Sequence, residues 1–180
     1  MSTRKDLQRF RSMALNFSAI GLEQSEHIPY FCTPVDAEYV GCLGCDGIHF
    51  ILLPGDEQVF CVDPAMGEIG TYVLPVAEDF RQFLAYVLFC RDANPLSQIW
   101  WLSEERFRNL LETDAEARWE GCETYFGEKA YALQVIAETF DLLPKDPYEP
   151  VRKMQAGYDS SKLAFSDEYY DVLGLERPEE

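Results

Sequence analysis

A chain of 180 residues fits one domain, and 47% hydrophobic residues, with 12 Phe, 10 Tyr and 3 Trp, supply a core and exclude disorder. Its 32 acidic residues against 15 basic ones give a formal charge of −17. That balance opposes nucleic acid and membrane, which are polyanionic surfaces, and suits a basic protein partner.

The first predicted element is a helix over residues 3–17. Leu7, Phe10, Met13, Ala14 and Phe17 recur at spacings of three and four, which builds one apolar face. The same segment carries Arg4, Lys5, Arg9 and Arg11. It contains no apolar stretch of the kind that opens a secretory signal. The chain is therefore expected in the cytoplasm, with Cys32, Cys42, Cys45, Cys61, Cys90 and Cys122 as reduced thiols.

Between Arg11 and Arg81 there is no Lys or Arg, whereas eleven carboxylates stand there, from Glu23 to Asp79. Their counter-charges must come from elsewhere in the fold or from a partner. A stretch of one sign makes a field that steers an oppositely charged protein. Solubility alone is the competing explanation of the same charge.

Residues 21–34 read as a loop anchored by Ile28, Tyr30 and Phe31. A strand block follows at 38–43, 47–53, 58–62 and 70–74, bounded by Asp46-Gly47, Pro54-Gly55 and Asp63-Pro64. The short connections favour antiparallel hairpins. The second strand, apolar on both faces, should be central.

The pattern then becomes helical. Phe80, Phe83, Leu84, Val87 and Leu88 form a stripe, Glu78 and Asp79 suit the first turn, and Asn94-Pro95 marks the end. Ser103 caps a helix to about Glu112, another spans about Glu128 to Asp141, and Asp146-Pro147 opens a further one. The tail, with Phe165, Tyr169, Tyr170 and Leu173, should pack back onto the domain. Residues 177–180 should be loose. The whole is an α+β domain over 1–180. Its small, mixed but largely antiparallel sheet has four to six strands, and 95–180 is a helical extension packed on it.

The candidates for chemistry each have a structural explanation. Cys42-Leu43-Gly44-Cys45 has the CxxC spacing, but it lies at a strand end and has no second pair to complete a metal site. His49, between Ile48 and Phe50, could be a general base or a packed strand residue. His27, in a loop, could be simply solvated. Paired carboxylates such as Asp56-Glu57 arise by chance in so acidic a chain. Phosphate-binding, nucleophile-elbow and zinc-protease motifs are absent from the sequence. No catalytic residue, metal or cofactor is expected. Trp100-Trp101 can divide between core and surface.

Asp46, Gly47 and Phe50, then Val59, Val62 and Asp63, then Ala77, Asp79, Phe80, Phe83 and Leu84 together resemble the SUKH superfamily, named in part after a fungal cell-wall-synthesis regulator. The likeness covers about residues 37–90. It implies an α+β fold and a binding role. Many bacterial members are immunity proteins that occlude toxins, often nucleases. A basic, toxin-like partner at Asp36, Glu38, Asp56, Glu57 and Glu68 follows from resemblance and charge together. A regulatory or scaffold protein using Trp100 and Trp101 is one alternative. A metal-dependent enzyme using Cys42, Cys45 and a histidine is the other.

Overall fold

The computed structural model describes residues 2–25 and 29–177, so His27 and Ile28 lie outside the described residues. Helix α1 spans Thr3–Arg11 and buries Leu7 and Phe10. It stops at Arg11 rather than near residue 17. The Ser12 hydroxyl donates to the Arg9 carbonyl at 2.7 Å, a local bond that competes with helix continuation. Phe17 still reaches the core through a 3-10 turn at Phe17–Ile20, with its ring 4.6 Å from that of Phe10.

Four strands follow: β1 (Glu38–Cys42), β2 (His49–Leu52), β3 (Val59–Val62) and β4 (Val73–Ala77). They form one sheet in the order β1-β2-β3-β4, and every pairing is antiparallel. The α+β class therefore holds, with four strands and no parallel pair among the described residues. Strand β2 is internal and fully buried, as its two apolar faces require. Strand β4 lies at 73–77 rather than 70–74. Asp63 Oδ1 accepts from Ala65 and Met66, and the Glu68 carbonyl accepts from Thr71 and Tyr72. Those bonds hold the chain in turns up to Tyr72. Pro75 is tolerated inside β4 because β4 is an outer strand.

Both outer strands are covered, which removes the exposed edges that invite strand addition. Beside β1, Glu23 and Cys42 exchange backbone bonds of 2.8 and 3.1 Å, and Gln24 Nε2 donates to the Val40 carbonyl. Beside β4, Gln155 Nε2 donates to the Pro75 carbonyl at 3.2 Å.

The remaining helices are α2 (Phe80–Cys90), α3 (Asn94–Gln98), α4 (Glu104–Glu116), α5 (Cys122–Phe140), α6 (Tyr148–Ala156) and α7 (Asp167–Leu173). Ser103 caps α4 as the sequence reading expects, accepting from the Arg106 N–H. Asp79, expected in the first turn of α2, stands one residue before it as the cap and accepts from the Gln82 N–H. Helix α6 begins at Tyr148 with Pro147 in the capping position, and Asp146, expected there, accepts the Tyr148 N–H from one residue further out. Helix α2 ends at Arg91, in the left-handed region, and Asn94-Pro95 begins α3 rather than ending α2. Helix α5 starts at Cys122 and not near Glu128.

Side chains alternate along the strands, so the sheet has two packed faces. Phe50, Leu52, Val59 and Val76 join Phe10, Phe83, Phe107, Ile136, Phe140 and Val151 in the larger core. Helices from both sides of residue 95 thus share one core. Ile51, Phe60, Val62 and Val73 face a smaller cluster closed by Phe31, Phe165, Tyr169 and Leu173. The tail packs back as expected. Arg177 is itself tied down by Asp171 at 2.7 Å and Asp167 at 3.4 Å, and residues 178–180 lie outside the described residues.

Candidate functional site

The antiparallel order gives the sheet two ends of different electrostatic character. One end gathers the start of β1, the β2–β3 hairpin and the end of β4, and it holds Glu38, Asp56 and Glu57. Here the basic N-terminal segment supplies the missing cations. Arg4 lies 3.4 Å from Glu38 and 3.8 Å from Glu57, and donates to the Asp56 and Leu53 carbonyls at 2.9 and 2.8 Å. Arg11 reaches Glu38 at 3.1 Å and also donates to the Tyr39 carbonyl. Glu57 accepts the Thr3 N–H at 2.6 Å, and this bond, with the Thr3 hydroxyl and Arg4, holds its carboxyl below the usual range.

The other acids named from the sequence lie apart. Asp36 is exposed, in the left-handed region, just before β1. Glu68 is exposed in the β3–β4 connection at the opposite end of the sheet. The five carboxylates are therefore not one patch. Trp100 and Trp101 sit between α3 and α4. Trp101 is 41% exposed, whereas Trp100 is half-buried and its Nε1 is enclosed without a partner among the described residues. Arg152 of α6 donates to the Trp100 carbonyl.

The opposite end of the sheet carries the β1–β2 hairpin tip. Gly44, Asp46 and Gly47 take positive φ values of 78°, 54° and 70°, which Gly adopts freely and Asp tolerates. At Gly47 a close approach adds a second requirement. A Cβ there would lie 2.5 Å from the Tyr30 ring, so glycine lets Tyr30 cross the hairpin.

Tyr30 stacks on His49 with ring centroids 5.9 Å apart. His49 is buried. Its Nδ1 lies 2.7 Å from the Gly47 carbonyl and its Nε2 3.2 Å from Thr33 Oγ1. A carbonyl only accepts, so Nδ1 carries the proton and Nε2 accepts from the Thr33 hydroxyl in the neutral ring. Thr33 Oγ1 in turn accepts the Tyr30 N–H at 2.9 Å. His49 thus anchors the wall that carries Tyr30.

Above this anchor lies a cleft of about 370 Å³, lined by Glu23, Tyr30, Tyr39, Cys42, Cys45 and Asp46 among others, with no Lys or Arg among the described residues of its lining. The Tyr39 hydroxyl donates to the Glu23 carbonyl at 3.2 Å, and burial pushes its phenol well up. Burial, then Asp46 and Cys42, pushes the Cys45 thiol up. Reactive redox thiols are instead lowered by cationic surroundings. Among the described residues no group of three or more His, Cys, Asp or Glu could hold a metal ion, and all six cysteines are free thiols.

Cys45 also borders a second cleft of about 290 Å³, on the helical side of the hairpin. That cleft shares Asp92, Asp114, Phe126 and Lys129 with a larger one of about 450 Å³. Its charges are balanced: Arg91, Arg118 and Lys129 stand against Asp92, Asp114 and Glu123. Lys129 lies 2.7 Å from Asp92, both side chains mostly buried, and Arg118 covers the Phe126 ring at 4.7 Å. The larger helical cleft is self-neutralised, the smaller sets Lys129 against Asp92 and Asp114, and the described lining of the hairpin cleft is acidic.

Glu23 and Asp46 belong to the cation-free stretch of sequence. Their meeting with Tyr30 and Tyr39 depends on the Glu23–Cys42 bridge and the Gly47 contact, which no local pattern announces. Among the described residues no helix is long and apolar enough to cross a membrane. No family model, curated protein or solved structure matches the chain.

Proposed function

We propose that this chain is a binding domain for a basic protein, met at the hairpin end of the sheet. One observation carries the reading. The cleft at the β1–β2 tip holds Glu23 and Asp46 with no Lys or Arg among the described residues of its lining, while the carboxylates at the other end already have Arg4 and Arg11. A concentration of carboxylates makes a negative field that speeds the encounter with a basic partner. Glu68, exposed in the β3–β4 connection at the same end, extends the acidic surface, and Asp36 adds to the field. Glu38 and Glu57 contribute less, because arginines screen them.

The finer reading is a cytoplasmic immunity protein of SUKH type that occludes a nuclease-like toxin. It rests on the resemblance over residues 37–90 and on the fact that nucleases present basic grooves. The aromatic alternative has its own support in Trp101, a large apolar side chain 41% exposed beside α4.

The test is affinity for the native partner at two salt concentrations. A basic partner whose affinity falls at least tenfold between 50 and 300 mM salt supports the reading. An acidic or neutral partner with salt-insensitive affinity overturns it. Loss of binding in Trp101→Ala, with Glu23→Lys and Asp46→Lys still binding, moves the function to the aromatic patch. Rescue of growth by co-expression with a toxin encoded beside the gene would establish the immunity role.

A further inference from the structure

Independently of the basic-partner reading, we propose that the adjoining clefts between α2, α4 and α5 bind a small zwitterion with an aromatic body, of the class of an aromatic α-amino acid. The larger cleft measures about 450 Å³ and the smaller about 290 Å³, and they share Asp92, Asp114, Phe126 and Lys129. That is the size range of small-molecule sites. The wall common to them is aromatic. Trp119, Tyr125 and Phe126 pack against one another with ring centroids 5.3 to 5.4 Å apart, yet Trp119 stays 52% exposed. Rings gathered in this way offer a planar apolar body a stacking surface. Leu111, Cys90 and Cys122 continue the apolar lining of the larger cleft.

The charges specify the rest of the ligand. The larger cleft sets three cations against three carboxylates, in a chain of formal charge −17. Such a chain repels a lone anion and draws a lone cation to acids all over its surface, whereas a zwitterion meets both signs here without net charge. Only part of the lining charge is spent internally, in the pair of Lys129 with Asp92 at 2.7 Å. Among the described residues Arg91, Arg118, Asp114 and Glu123 form no ion pair. Arg118 donates to the Ala115 and Ala117 carbonyls through Nη1 alone, which leaves the rest of its fork for a carboxylate. Arg91 holds φ 60°, a left-handed conformation that helix ends usually give to glycine, and it lines the same cleft. Asp114, whose charged form is disfavoured by partial desolvation and by Asp92, gains a counter-ion from an ammonium group. Arg91 and Arg118 thus take the carboxylate, Asp114 the ammonium, and the wall of Trp119, Tyr125 and Phe126 the ring.

The experiment is an NMR titration of the full chain, followed at its backbone amides. The probes are L-phenylalanine, phenethylamine and 3-phenylpropionate, which present both charges, the amine alone and the carboxylate alone. The proteins are the unaltered chain and its Asp114→Asn, Arg118→Gln and Glu105→Gln variants, Glu105 being exposed on α4 and outside both clefts. L-Phenylalanine binding with a Kd below about 5 mM, at least fivefold tighter than either analogue, supports the site. Asp114→Asn and Arg118→Gln should each weaken it at least fivefold, and Glu105→Gln less than twofold. Equal affinity for the three compounds, tighter binding of a one-charge analogue, or an L-phenylalanine affinity that Asp114→Asn and Arg118→Gln leave unchanged overturns the proposal. So does the absence of any amide shift up to about 50 mM L-phenylalanine. The three compounds are compared on the unaltered chain, so that comparison decides even where a variant melts lower than the parent.

Discussion

Thr3 and Glu57, far apart in sequence, are joined twice: the Thr3 N–H donates to Glu57 Oε2 at 2.6 Å, and the Thr3 hydroxyl donates to the Glu57 carbonyl at 3.1 Å. The same hydroxyl accepts the first N–H of α2, from Phe80, at 3.2 Å. One buried threonine therefore ties α1, the β2–β3 hairpin and the start of α2 together. The folded Glu57 carboxyl is held below its unfolded value, so its stabilising contribution is present above the ordinary carboxylate range and is lost as pH falls through the folded value. Glu57→Gln is expected to lower the melting temperature at pH 7, with the difference closing in acid as pH falls through the folded value. A difference that stays constant across that range would assign the effect to hydrogen bonding without charge.

Asp114 behaves with the opposite sign. Partial desolvation at the rim of the cleft, and then Asp92 across it, raises its pKa, with Lys129 opposing. The folded state disfavours the charged form, so a penalty exists above the folded pKa and is relieved as pH falls through it. Asp114→Asn is expected to raise the melting temperature slightly at pH 7 and to change nothing in acid. The side chain is exposed, so the gain should be small. A variant that melts lower than the parent at pH 7 contradicts this account.

What the sequence disclosed divides by range. Ser103 was legible as a cap because that bond is made with an N–H three residues away. The burial of β2 followed from its apolar residues alone. The placement of β4 did not, because Pro75 is acceptable only in an outer strand and outer position is a property of the whole sheet. The acid-only stretch was visible as composition. The pairing of one end of that stretch with Arg4 and Arg11 is tertiary, since those pairs link segments dozens of residues apart. For the same reason Asp56 and Glu57 stood out in the sequence while Tyr30 and Tyr39 did not.

The tail closes the second face of the sheet through aromatic contacts. Tyr169 stacks on Phe165 with centroids 3.9 Å apart, meets Tyr72 edge-on at 6.3 Å and is buried beside Ile51, Phe60 and Val73. Tyr169→Ala should cost about 3 kcal/mol by urea denaturation, through lost burial and the remaining cavity. Limited proteolysis should then cut between residues 158 and 167 sooner than in the parent. A cost below about 0.5 kcal/mol would mean that the tail contributes little to closing this face.

Asp92 performs two tasks at the junction of α2, α3 and α5. Its Oδ1 accepts the Asn94 N–H at 2.9 Å, turning the chain into α3, and its Oδ2 pairs with Lys129 at 2.7 Å. Gly21 makes room for it, since a Cβ there would stand 2.5 Å from Oδ1. The two side chains are only 16% and 12% exposed, so removing one leaves the other charge poorly solvated. Asp92→Ala strands Lys129 and removes the turn bond, and should cost roughly 2–4 kcal/mol. Lys129→Met strands Asp92 but keeps the Asn94 bond and most of the apolar stem, so it should cost less. The double variant should be less destabilised than the sum of the two, because the second substitution removes a charge the first left unpaired. Urea denaturation of all four proteins measures this coupling, and strict additivity would show that the pair acts as two independent surface groups.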